Sequence, residues 1–169
     1  MTDIQRFQTD PGAAILKAAD DAPAVMLGNP ARGRTFQPMN AHLDETDGVL
    51  RFFAANDSDL YAGVRGGRAD VTCLVTSRDF TLFASVEGAL VERSEPELID
   101  RHFDPMTEAW FEKGRDDPKL ALLEFRPKDA AAWASQDDSQ HFAWEIAAAR
   151  KAERQPDVGV RLHAEFAAG

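Results

Sequence analysis

Residues 52–61 read FFAANDSDLY, a stretch that leaves a strand on two aromatics, turns on polar residues and enters a short helix. Asn56, Asp57 and Ser58 are the candidate caps for that helix. Helix starts with free amides and a nearby hydroxyl attract phosphate, and Phe52 and Phe53 offer an apolar wall beside it. Against a phosphate cradle, no Lys or Arg occurs from Phe52 to Val64, while Asp57 and Asp59 add negative charge. A dianionic group ordinarily wants a cation close by, so the residues alone favour a plain capped turn.

Outward from this turn the chain alternates short strands with few helices. Upstream, TFQPMNAHLDE places Thr35, Gln37, Met39, Ala41 and Leu43 on one face, and Asp47-Gly48 marks a tight turn into VLRFFA. Residues 34–55 therefore read as a hairpin. Pro38 removes a ladder donor, which places its strand at an edge of the sheet. Further back, AVMLGN reads as a short strand, preceded by a helix with Asp10 as N-cap and Pro11 at its first position.

Downstream, SDLYAGVRGG reads as a helix stopped by Gly66-Gly67. ADVTCLVT and DFTLFASVEGALVE alternate as strands, with Leu82, Ala84 and Val86 on one face and Phe83 on the other. Ser94 and Glu97 suggest a capping box opening a helix that runs to about Phe111. KLALLEF is a sixth strand, and Pro127 is expected to open a helix through Trp133. From Gln140 the pattern weakens to one amphipathic piece and a charged turn at 153–157. Hairpin signals and few helices point to an α+β fold, a single domain with a core at about 10–135 and an extension at about 136–169. Its antiparallel sheet is expected to curl into a six-stranded barrel with flanking helices.

With 169 residues, a net charge of −10 and a pI near 4.8, the chain is too acidic to follow a phosphate backbone or an anionic membrane surface. The opening MTDIQRFQTD lacks the apolar core of a signal peptide, and no apolar run reaches the ~18 residues of a membrane helix. A soluble, cytoplasmic protein without nucleic-acid or membrane partners is the expectation. Cys73 is the only cysteine and has no neighbouring cation, so it reads as a buried, inert thiol. His42, His102, His141 and His163 stand at no metal spacing from one another, no Gly-x-Ser-x-Gly elbow occurs, and no side chain demands a catalytic role.

The order of QPMNAHLDETDGVLRFF (37–53), NDSDLYAGVRGGRADVTCLV (56–75), TLFASVEGALVE (81–92, with a central Gly88), WFEKGRDDPKLALLEFRPKDAAAW (110–133) and RQPDVGVRLHAEF (154–166) resembles the pyridoxamine 5′-phosphate oxidase-like, FMN-binding split-barrel proteins, in their bacterial general stress branch. The resemblance implies a split barrel working as a homodimer with two flavin sites at the interface. It implies the FMN phosphate near residues 53–60, touching Phe53, Ala54, Ser58, Asp59 and Leu60, and the flavin ring against backbone at Gln37, Pro38 and Met39. Residues of the partner near Trp110 and Lys113 would close the site.

Three positions depart from the family pattern. Gln37 replaces an Arg, Ala54 a hydroxyl residue and Leu60 a Lys, and of the usual phosphate ligands Ser58 alone is intact. Arg32, Arg34, Arg65, Arg68 and the partner's Lys113 or Arg115 are the candidate substitutes. Trp110, Phe111 and Trp133 admit two roles, stacking on a flavin or filling a dimer interface, and interface filling is favoured. The function implied is flavin binding in electron transfer. The alternative is a dimer whose flavin site has degenerated into a binding module.

Overall fold

The computed structural model describes residues 3–29, 36–135 and 139–167. The chain opens with two helices, α1 (Asp3–Thr9) and α2 (Pro11–Asp21). Asp10 caps α2, its carboxylate accepting the Ala13 N–H at 3.0 Å, and Ala22, extended before Pro23, ends it. Ile15, Leu16 and Ala19 bury the inner stripe of α2.

Strands β1 (Val25–Gly28), β2 (Gln37–Met39), β3 (His42–Asp44) and β4 (Val49–Ala55) precede helix α3 (Asp59–Val64). Then follow β5 (Arg68–Thr76), β6 (Leu82–Glu92), helices α4 (Pro96–His102) and α5 (Pro105–Glu108), β7 (Leu120–Ser135), helix α6 (Ser139–Lys151) and β8 (Gly159–Glu165). The sheet runs β2-β1-β5-β6-β7-β4-β3, with β8 added on β7. β2 and β3 are its two ends, yet only Asn40 and Ala41 separate them in the chain. Three peptide units span at most about 11 Å, so the two ends must come together and the sheet must curl.

The split-barrel expectation therefore holds in architecture, with eight strands in place of six. The expected 34–55 hairpin divides. β3 pairs with β4 around Gly48 (φ +67°), while β2 turns away to pair with β1. Pro38 sits on the sheet edge, as its missing N–H requires. The eighth strand, β8, comes from the tail.

Alternate positions fill the interior: Leu50, Phe52 and Ala54 of β4, Val71, Cys73 and Val75 of β5, Leu82, Ala84 and Val86 of β6, and Phe125, Ala130 and Ala132 of β7. Each large side chain among these contributes about 1.5–3 kcal/mol by leaving water.

Two helix expectations fail for stated reasons. Residues 127–133 continue β7, with Pro127 opposite Gly88 where the register shifts. Alanine-rich sequence favours a helix locally, but Ala130, Ala132 and Ala134 line the core while β6 and β8 take the backbone on both sides. A Cβ on Gly88 would meet the Arg126 carbonyl oxygen and lie 2.6 Å from Phe125 Cε2, which is why the bulge carries glycine. The helix expected to reach Phe111 breaks at Phe103-Asp104, ahead of Pro105. Ser94 forms no capping box. Its hydroxyl donates to Glu92 and accepts the Leu122 N–H.

Candidate functional site

The strand-to-helix turn after β4 is built as the sequence suggests, and then held by residues from elsewhere. Ser58 caps α3, its Oγ accepting the Tyr61 N–H at 3.2 Å. Asn56 is fastened to the start of β7, its backbone N–H donating to Lys119 O and its side-chain amide to Pro118 O, both at 2.8 Å. This brings Lys119 Nζ to 2.7 Å from Asp57 Oδ2. The Lys119 ammonium holds the Asp57 carboxyl below its ordinary value, chiefly by this hydrogen bond. Arg65 reaches back to Asn56 O at 3.4 Å and lies over the Tyr61 ring. Two cations thus stand at a turn whose own sequence has none. Arg65 directly follows the uncharged-to-acidic stretch Phe52–Val64, and Lys119 is 62 residues from Asp57.

The expected ligands divide by orientation. Ala54 and Leu60 point into the core, 6% and 8% exposed, so their side chains offer a bound group nothing. Phe53 faces outward, edge-on to His42 at 5.5 Å and Phe103 at 5.8 Å. Asp59 opens the first turn of α3, beside Ser58. Gln37, Pro38 and Met39 form the edge strand, whose far side has no strand partner among the described residues. Trp110, 83% exposed, and Lys113 follow α5. Within one chain, no described hydrogen bond or ring contact joins them to β2 or to Ser58. Arg68 pairs with Asp70, and Arg115 with Asp100, while Arg32 and Arg34 lie outside the described residues.

A second cluster was not anticipated. Under α4, on the outer face of β3, β4 and β7, Arg51 is 2% exposed. It donates to Asp44 at 2.7 Å, Asp47 at 2.6 Å and Glu124 at 2.9 Å. Arg101 and His102 also reach Asp44, and Arg126 reaches Glu124. Burial alone would raise the Asp44 carboxyl, but hydrogen bonds from Thr46, Arg101 and His102 outweigh it and hold it far below the usual range. The available signal was a charge inside each apolar run, Arg51 in VLRFFA and Glu124 in LALLEF. Every carboxylate here is paired, so the cluster fastens α4 to the sheet and presents no free nucleophile. Cys73 is likewise inert, its thiol pushed up to about 12 by burial.

A third feature lies on the outer face of the central strands. Met26 stands opposite Leu74, and Phe83 opposite Trp133, so each pair projects from one face. All four are between 38% and 50% exposed. Arg161 of β8 covers part of Trp133, 5.7 Å from the ring centre. Two exposed apolar pairs on neighbouring strands make this face less polar than a solvated sheet face.

Known proteins agree with this architecture. The family model for pyridoxamine 5′-phosphate oxidase-like proteins matches residues 10–157. A crystal structure from Jannaschia sp. CCS1, named for general stress protein 26, superposes with a TM-score of 0.78 at 27% identity, over 90% of this chain and 96% of that one. The general stress FMN/FAD binding protein of Xanthomonas citri is 32% identical over 76% of this chain and 89% of its own, with a TM-score of 0.66. A general stress family protein of Xanthomonas campestris pv. campestris is 35% identical over 73% and 87%, with a TM-score of 0.62. No curated protein matches the sequence significantly. With the curled sheet, its glycine bulge and the turn after β4 all in place, the chain belongs to the pyridoxamine 5′-phosphate oxidase-like family.

Proposed function

We propose that this is a cytoplasmic, homodimeric flavoprotein of the general stress type that binds FMN and takes part in electron transfer. Family membership and likeness to an FMN/FAD binding protein support a flavin. The observation that carries the phosphate-bearing form is the placement of Lys119 and Arg65 at the turn after β4. These two cations and the Ser58 hydroxyl replace the contacts that Ala54 and Leu60 cannot make. The open edge of β2 at Gln37–Met39 is available to the ring, and a bound flavin would supply the redox chemistry. The protein's part is to hold and orient that ring and shield it from water. The outward patch of Met26, Leu74, Phe83 and Trp133 supports pairing with a second copy, which would also bring the partner's Trp110 and Lys113 to the site.

A second reading has its own support. Ala54 and Leu60 are core residues, so the turn keeps the shape of a cradle without its side-chain donors. On that reading the dimer binds another ligand and does no redox chemistry.

Titration of the apo-protein with FMN and riboflavin separates the two. FMN binding at least tenfold tighter than riboflavin, with the difference abolished in Lys119→Ala, supports the first reading. Absence of binding by either flavin overturns it and leaves the second. Equal affinities would keep the flavin and remove the phosphate contacts. Sedimentation of wild type against Phe83→Glu tests the dimer, which the added charge is expected to dissociate.

A further inference from the structure

Opposite positions in the sheet assemble a group of ligands on the outer face of β6, β7 and β8. Glu87 stands opposite Asp129, and Asp129 opposite Glu165, so three carboxylates form a row across adjacent strands. His163 precedes Glu165 by two residues and therefore shares its face. Its Nε2 lies 2.7 Å from Asp129 Oδ2. One ligand atom each from Asp129, His163 and Glu165 falls within 4.8 Å of the others.

Among the described residues, His163 is the one basic group set against this row of carboxylates. Like charges directly opposite one another destabilise a sheet. Among the described residues no Lys or Arg is hydrogen-bonded or ion-paired to Glu87, Asp129 or Glu165. Glu87 accepts only the Thr72 hydroxyl, at 2.9 and 3.0 Å, and the nearby Arg161 is engaged over Trp133. A divalent cation would relieve this repulsion, and strand backbones would hold its ligands in place.

We infer that Asp129, His163 and Glu165 form a binding site for a first-row divalent metal of the Zn2+ class. An imidazole nitrogen with two carboxylates and no thiolate suits Zn2+ over Mg2+ or Ca2+, which take all-oxygen sets. Four-coordinate bonds of about 2.0–2.2 Å place neighbouring donors about 3.4 Å apart. The His163–Asp129 contact of 2.7 Å must open slightly, and the donors, all within 4.8 Å of one another, must settle to that spacing. His163 and Asp129 are about half exposed, so both adjustments are side-chain rotations. Glu87 or a water completes the set. The residues lie on two strands, with His163 34 positions from Asp129, well beyond the short ligand spacings of zinc-finger motifs.

The test is calorimetric titration of tag-free full-length protein with Zn2+ alone, in parallel with His163→Gln and the double variant Asp129→Asn/Glu165→Gln. One saturable Zn2+ per chain is expected, weakened at least tenfold in His163→Gln and lost in the double variant, with Mg2+ unable to compete. Melting temperatures in EDTA verify that each variant is folded, and Zn2+ but not Mg2+ should raise that of the wild type. No saturable binding to the wild type, or stoichiometry and affinity unchanged in both variants, would overturn the assignment. The outcome is independent of whether flavin binds.

Discussion

Replacing Arg51 with Met tests whether the charge cluster under α4 holds the fold together. Arg51 and two of its partners, Asp44 and Glu124, have side chains only 2–3% exposed. Removing one member of a buried pair costs about 3–5 kcal/mol, because the opposite charge is left without compensation. The structure places this case at the low end of that range. Asp44 keeps Arg101 at 2.7 Å, and Glu124 keeps Arg126 at 2.7 Å. Met also removes the Arg51 Nε, a buried donor without a described partner, whose desolvation now works against stability. A loss of about 3 kcal/mol is expected, equivalent to a fall in Tm of about 6–12 °C for a chain of this length.

The assay is urea unfolding followed by circular dichroism, with Arg101→Ala as the internal comparison. Arg101 meets the same Asp44 oxygen at the same 2.7 Å, but its side chain is 53% exposed. It should therefore cost no more than about 1 kcal/mol. The double variant Arg51→Met/Glu124→Gln should lose less than the sum of its single changes, since each removes the other's penalty. If Arg51→Met costs under about 1 kcal/mol, or no more than Arg101→Ala, the assignment of structural weight by burial is refuted.

Four further outcomes follow from the structure. Burial lowers the pKa of His42, and of His102 as well, where it outweighs the opposing pull of Asp44. The unfolded chain then binds more protons below about pH 6.5, so the melting temperature should fall between pH 7.5 and 5.5, less steeply in His102→Gln. Asp44, held low in the folded state, contributes stability above about pH 4 that is lost on further acidification. Native Cys73 should resist a thiol reagent at pH 8 and react fully once unfolded in denaturant. Rapid labelling of the native protein would contradict its full burial. Gly88→Ala must displace Phe125 or the Arg126 carbonyl, and should cost about 1–3 kcal/mol by thermal melting.

What could be read from the sequence divides along physical lines. Features with local causes were legible: Pro38 marks an edge, Asp10 caps α2, the cap of α3 is one of Asn56, Asp57 and Ser58, Gly67 stops α3 with its φ of +115°, and Cys73 faces inward on an alternating strand. The order of such features along the chain carried the family as well. Residues 127–133 were misread because their helical preference is local while the decision lies with β6 and β8, which pair with that segment from both sides. The chemistry on the outer face was hidden for the same reason. Lys119 reaches Asp57, Glu124 meets Arg51 and His163 meets Asp129 only because β7 runs beside β4 and β8. Two of these pairs have a member on β7 and the third, through Lys119, lies immediately before it; β7 is the longest strand at 16 residues and pairs with β4, β6 and β8. Interior alternation on β7 can be read from a list of apolar residues, whereas its outward positions acquire partners only when the neighbouring strands are known. In this chain the core therefore follows from periodicity, and the binding chemistry follows from register.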